Sequence, residues 1–295
     1  MPEDFFRAEH IRRRQAVNRL AEVGATVAAL LAVAVLVLVV GSIAVRGAGA
    51  LTLDFFTKSQ TLFSGFGAAP PSGIANALVG TTIIVGLAVL MALPVGVLAA
   101  IYLNEFAPRR VSSVLTMALD VLNGVPAIVI GIFVFVFLVV GHGQAAWKGS
   151  FALAILMLPL VARATQEVLA LVPSSLREAS LALGAAKWKT TMSIVLPQTI
   201  GGIVTGATLA TARIAGETAP LLFTTSLYGT SVDTDPRKPL ASIPMFIFTS
   251  AEQADPKLHE QAWGAALVLI LFILLVSVIA RAFAARNRSR LAGER

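Results

Sequence analysis

Four charged residues sit where charge is costly. Arg163 and Glu167 fall in one apolar run, and Arg213 and Glu217 in another. An ionisable side chain inside a bilayer is expensive to keep, so each is a functional candidate by default. A spacing of four places each arginine on the same helical face as its glutamate, so each pair could neutralise itself at modest cost. That is also the structural reading, two ion pairs that fix helix packing. Arg163 and Glu167 lie toward one end of their run, where a long arginine can snorkel to the headgroups. Arg213 lies near the middle of its run, where snorkelling is hard. It is followed by Gly216-Glu217-Thr218-Ala219-Pro220, which loosens the helix and offers polar atoms. Two arginines facing one cavity suit a tetrahedral oxyanion, whose oxygens the guanidinium fork matches bidentately. A carboxylate beside them repels a bare anion and accepts a hydrogen bond from one that still carries a proton. Glu217 could therefore favour hydrogen phosphate over sulfate.

These charges need elements that cross a membrane. Of 295 residues, 57% are hydrophobic and 13% charged, against roughly 25% charged in an average soluble domain. Aromatics are 7%, so the excess is aliphatic. Six apolar spans are predicted, at 24–45, 74–103, 115–140, 151–170, 199–223 and 262–283. The first exceeds a signal-peptide core and reads as a retained anchor. With the N-terminus inside, fifteen of the 23 Lys and Arg fall on the inner side and six on the outer, which sets both termini in the cytoplasm. The net charge of +7 is then mostly positive-inside bias and not a nucleic-acid surface. The divisions that follow are a basic tail at 1–23, a first helix and outer segment at 24–73, a five-helix core at 74–284 and a second basic tail at 285–295.

Small residues mark where helices approach. Ala88, Ala92, Gly96 and Ala100 form one stripe, and Gly202, Gly206 and Ala210 another. These stripes serve packing within one subunit or an interface between two. Pro94 is a candidate kink.

Several chemistries are missing. With no cysteine there is no disulfide, thiol nucleophile or thiolate metal site. The phosphate-cradling GxxxxGK[ST] loop is absent, as are HExxH and GxSxG. His10, His142 and His259 are far apart in sequence. Nothing supports an enzyme whose chemistry lies in this chain, and no metal or cofactor is expected on it.

Between the fourth and fifth spans, 171–198 reads as amphipathic helices, starting at Ser174 or Ser175 after Pro173. It contains Glu178-Ala179-Ser180, then Gly184, then Ile194-Val195-Leu196-Pro197. The spacing resembles the EAA motif of ABC importer permeases, with Ser180 in place of the third alanine. Further stretches are similar to PstA-type phosphate permeases. They are Gly80-Thr81-Thr82, Leu93-Pro94-Val95-Gly96, Tyr102-Leu103-Asn104-Glu105, the runs 122–129 and 183–190, and Ala212-Arg213-Ile214-Ala215-Gly216-Glu217-Thr218-Ala219-Pro220-Leu221-Leu222-Phe223. The resemblance implies an all-α, six-helix permease of the type I (MetI-like) fold in the cytoplasmic membrane. It implies a second homologous permease subunit (PstC-type), an ATPase dimer (PstB-type) that carries ATP and Mg, and an extracytoplasmic phosphate-binding protein (PstS-type). By motif, Arg213, Glu217, Thr218 and Arg163 fall on the substrate pathway, with Glu167 a weaker carry-over. Glu178, Ala179, Ser180, Gly184, Ala185, Lys187 and Trp188, within 174–198, fall on the ATPase-coupling segment. The alternatives are the same machine for sulfate, molybdate or phosphonate, or a carrier that works without ATP.

Overall fold

A computed structural model of the chain describes residues 3–59, 73–225 and 231–291. Among them every regular element is helical. In chain order these are α1 (Glu3–Gly47), α2 (Leu53–Thr57), α3 (Ala75–Ile101), α4 (Arg109–Gly124), α5 (Ala127–Val134) and α6 (Ala146–Ala170). Then follow α7 (Ser174–Ala182), α8 (Lys187–Thr190), α9 (Leu196–Ala215), α10 (Leu221–Thr224), α11 (Ile243–Ala251) and α12 (Pro256–Leu291). Single π-helical turns extend α3 to Phe106 and α5 to Val139, and one joins α8 to α9.

Five helical stretches are long and apolar enough to cross a membrane: Arg13–Ala50, Ala75–Phe106, Ala146–Ala170, Lys187–Ala215 and Pro256–Ala282. The expected third span, 115–140, is not one helix. It is two, Arg109–Gly124 and Ala127–Val139, bent by 94°. Pro126 is the cause. It cannot continue the helix, and it forces Val125 into an extended conformation (φ −70°, ψ 129°). The expected fifth span also ends early: α9 stops at Ala215, and 216–220 is a turn. Pro94, by contrast, does not interrupt α3, which runs through it unbroken. The basic stretch at the N-terminus is not a separate tail over its described part, because α1 begins at Glu3. At the other end α12 continues to Leu291, and 292–295 lie outside the described residues.

The core is built on α6, which α3 and α9 flank. Ala88, Ala92 and Ala100 of α3 are 0–2% exposed. A Cβ on Gly96 would come within 3.0 Å of the Val161 side chain and 3.2 Å of the Leu158 carbonyl. On the other flank, a Cβ on Gly202 would meet Val168 at 2.5 Å and one on Gly206 would meet Ala164 at 2.5 Å. Both small-residue stripes are therefore contacts inside this chain. In lipid, helix association relies on such close van der Waals approach because tails are as apolar as leucine. Ile84, Leu153, Met157, Val161, Ala210 and Ile214 fill the space between the three helices.

At the α11 end of the bundle, the first amides of α6 are satisfied by the connecting segments. Ala145 donates to Thr224, Ala146 to Lys238 and Trp147 to Pro236. Helix α1 meets the rest at this end, where Gly47 packs on the Trp263 backbone. Residues 13–42 of α1 are exposed. Replacing Gly96 by valine should destabilise the bundle by about 1–3 kcal/mol through overpacking. Gly86, with open space around its Cα, should accept alanine without loss. Thermal unfolding midpoints of the purified variants in detergent measure the contrast.

Candidate functional site

Arg213 is one turn from the C-terminus of α9. Its side chain is exposed and makes no ion pair among the described residues. The expected Arg213–Glu217 pair does not form, for a local reason. A four-residue step shares a face only while the helix continues. Here Gly216 ends it: its amide and that of Glu217 turn back to the carbonyls of Arg213 and Ile214. Glu217 and Thr218 are half-buried in the turn that follows. The Thr218 carbonyl accepts from the amides of Leu221 and Leu222 and so starts α10.

That turn is held from outside by α5. A Cβ on Gly131 would sit 2.6 Å from the Cα of Pro220 and 3.3 Å from the Phe223 ring. Phe135 packs on Phe223 with centroids 6.1 Å apart. The bend at Pro126 is what brings α5 to this place. The break missed by counting apolar residues therefore positions Glu217 and Thr218. Lys148, 5% exposed, secures the far end of α5 by donating to the carbonyls of Gly143 (2.6 Å) and His142 (3.4 Å).

Arg163 has a partner, but not Glu167. Its Nε donates to Asp120 Oδ1 at 2.7 Å, and its Nη2 donates to Asp120 Oδ2. Three residues on, Gln166 donates to Thr116 Oγ1 at 3.3 Å. α4 thus runs antiparallel along α6 with polar contacts at matching steps. Glu167 is exposed and outside this ladder. The two arginines do not share one shell. The Gly202–Val168 and Gly206–Ala164 contacts set Arg213 level with Met157. Arg163 is six residues further along α6, roughly 9 Å at 1.5 Å per residue. Asp120 is itself a charge within the expected 115–140 span, so its position is legible in the sequence; its partner, 43 residues away on α6, is not.

At the opposite end of α6, α7 and α8 form a helix–turn–helix. Gly184 takes φ +81°, which permits the turn. The Ala185 amide donates to the Ser180 carbonyl, and the hydroxyls of Ser180 and Thr190 share a hydrogen bond of 2.9 Å. Ser180 is buried, so the serine that replaces alanine in the motif joins the two helices. Glu178, Ala179, Gly184, Lys187 and Trp188 are exposed, and Ala185 is half-buried. Lys187 lies over the Phe106 ring, 5.6 Å from its centroid. Leu183 is 89% exposed and Trp188 63%, forming an apolar surface beside charge. Between this surface and the bundle is Arg177, which pairs with Glu105 at 2.9 Å. Glu105 was part of a recognised stretch, yet its role depends on a partner 72 residues away that the sequence does not indicate.

Residues 92–289 match the family described as binding-protein-dependent transport system inner membrane component. The phosphate transport system permease protein PstA of Yersinia pestis is 36% identical over 98% of both chains. The corresponding PstA 1 of Mycobacterium tuberculosis is 42% identical over 74% of this chain and 72% of its own. Among solved structures, the bacterial alginate ABC transporter in complex with an alginate pentasaccharide-bound periplasmic protein aligns with a TM-score of 0.65. It covers 88% of this chain and 94% of that one at 15% identity. The inward-facing MetNI methionine ABC transporter aligns with a TM-score of 0.56 over 73% and 94%, at 17% identity. At these identities the two structures speak for the fold alone, that of a MetI-like permease. By sequence, the chain belongs to the family of binding-protein-dependent transport system inner membrane components, which it shares with the PstA proteins.

Proposed function

We propose that this chain is the membrane-spanning permease subunit of an ATP-driven importer that carries inorganic phosphate across the cytoplasmic membrane. The observation that carries the reading is Arg213. It is a full positive charge on an apolar helix, with no carboxylate paired to it among the described residues and Glu217 in the adjoining turn. A charge at mid-membrane costs about 2.5–3.5 kcal/mol on insertion scales, so an unpaired one implies an anion or a wet pathway. The names of the PstA relatives support phosphate as that anion.

In this reading the anion meets Arg213 first. Glu217 and Thr218, set by the α5-braced turn, sort protonated from unprotonated oxyanions. Arg163 is the second cation, roughly 9 Å further along the α6 axis. Its fork is occupied by Asp120, so an arriving anion exchanges with a carboxylate instead of filling an empty charge. The termini and the α7–α8 surface are cytoplasmic. Leu183, Trp188 and Lys187 face the ATPase dimer, which binds ATP and Mg; this chain binds neither. A second permease subunit of PstC type completes the pore. A phosphate-binding protein of PstS type delivers the anion at the α11 end.

Uptake by the reconstituted complex, with sulfate as competitor, tests the substrate. Phosphate uptake that resists excess sulfate is expected; equal competition would move the assignment to another oxyanion. Glu217→Gln should lower phosphate-over-sulfate discrimination by at least ~10-fold, because an amide can donate to an anion that has no proton to give. Unchanged discrimination would remove Glu217 from the selection step. The Arg163–Asp120 pair has its own test. Arg163→Gln and the double variant Asp120→Asn/Arg163→Gln should both show deep loss of uptake. Recovery in the double variant would make the pair a packing device.

A further inference from the structure

Glu105 is a carboxylate 7% exposed, on the π turn that continues α3. It is outside the anion pathway argued above, and a polar group this buried is costly unless its lone pairs are met. One oxygen, Oε1, accepts three hydrogen bonds: from Arg177 Nη2 at 2.9 Å, Arg177 Nε at 3.2 Å and Asn104 Nδ2 at 2.9 Å. The rest of the guanidinium is spoken for as well. Nη1 donates to the Val172 carbonyl at 2.6 Å, and Nη2 to the Leu169 carbonyl at 2.9 Å. Leu169 is in the last turn of α6 and Val172 lies two residues beyond its end; the Leu169 carbonyl also accepts from the Val172 amide at 3.3 Å. Ala100, Ile101, Leu169, Val172 and Val195 pack together at this end, each 0–6% exposed. In such surroundings the hydrogen bonds are stronger than in water and breaking them is costly.

One side chain of α7 therefore grips the ends of both α3 and α6. The α7–α8 unit is otherwise attached by the chain itself, from α6 through 171–173 and from α8 into α9, and by Lys187 over the Phe106 ring. We propose that the Arg177–Glu105 clamp is the link that makes α3 and α6 move with α7, so that motion of the α7–α8 surface reaches the substrate pathway as rigid-body motion of the bundle. Arg177 and Glu105 are positioning residues in this scheme, since neither touches the anion or the exposed docking face. Without the clamp, a push on α7 reaches α6 and α9 only through the connecting chain and α3 only through Lys187 on the Phe106 ring, and the helix–turn–helix slips against the bundle. The proposal rests on the reading that α7–α8 receives the ATPase.

The test uses the whole reconstituted complex in proteoliposomes. Phosphate uptake and ATP hydrolysis are measured together, and retention of the ATPase subunit is scored on purification. Glu105→Gln should lower phosphate moved per ATP hydrolysed by at least about tenfold, because glutamine keeps an acceptor oxygen but loses the charge that holds the guanidinium in one geometry. ATPase retention should stay near wild type. The exchange Glu105→Arg/Arg177→Glu should recover part of the ratio. A Glu105→Gln ratio equal to wild type in a fully assembled complex would overturn the proposal, because a merely stabilising pair changes the amount of complex and not its ratio. For complexes that assemble poorly, the chain's lack of cysteine allows a clean second variant. Glu105→Cys/Arg177→Cys joined by a thiol cross-linker should couple when linked and lose coupling when reduced, and indifference to linkage would also overturn it. Failure of the underlying reading is separately visible: Leu183→Asp/Trp188→Asp would then leave the ATPase bound.

Discussion

Close approach of α3, α6 and α9 is the constraint on which the remaining geometry depends. It is achieved by leaving side chains out. Gly96 on one flank and Gly202 and Gly206 on the other admit Val161, Val168 and Ala164 at distances that a Cβ would forbid. Lipid offers no hydrophobic reward for bringing helices together, so contact area must come from fit. The same contacts fix the register of α9 on α6, and the register sets where Arg213 and Arg163 stand relative to one another. A bulkier stripe would separate the helices and move both charges.

Within that frame, three arginines meet three fates, each decided by what the local backbone provides. Arg177 is half-buried against Glu105 and the carbonyls of Leu169 and Val172, and its charge is fully answered. Arg163 is answered by one carboxylate on a neighbouring helix, with both side chains still partly open, 36% and 51% exposed. An exposed pair of this kind contributes little stability and exchanges readily. Arg213 is answered by nothing charged among the described residues. The order of increasing availability is the order expected for a structural joint, an exchangeable site and a primary anion contact.

The apolar spans were legible in composition because membrane thickness imposes a length that a sequence must supply. So was the helix–turn–helix, since Gly184 and the spacing around it reflect local backbone needs. The bend at Pro126 was less so, although the proline was in view: a run of apolar residues can be continuous while the helix is not. Pro94 shows the converse, a proline that α3 absorbs. The ion pairs were misread most. A step of four suggested Arg163–Glu167 and Arg213–Glu217, but Gly216 ended one helix before the step was complete, and a distant helix offered Asp120 to the other. Glu105–Arg177 joins residues 72 apart. Pairing between elements depends on tertiary register, which one sequence does not display.

Anion transfer through this chain depends on the charge of Arg213, which has no ion-pair partner among the described residues. The direct measurement is uptake of radiolabelled phosphate by the reconstituted complex carrying Arg213→Ala or Arg213→Lys, with assembly and ATP hydrolysis followed in parallel. Arg213→Ala should assemble and lose uptake by at least about 10-fold, the loss of one charge-assisted contact. Arg213→Lys should fall between it and wild type, since lysine keeps the charge and forfeits the fork. Uptake by Arg213→Ala at the wild-type rate would rule out Arg213 as the anion contact.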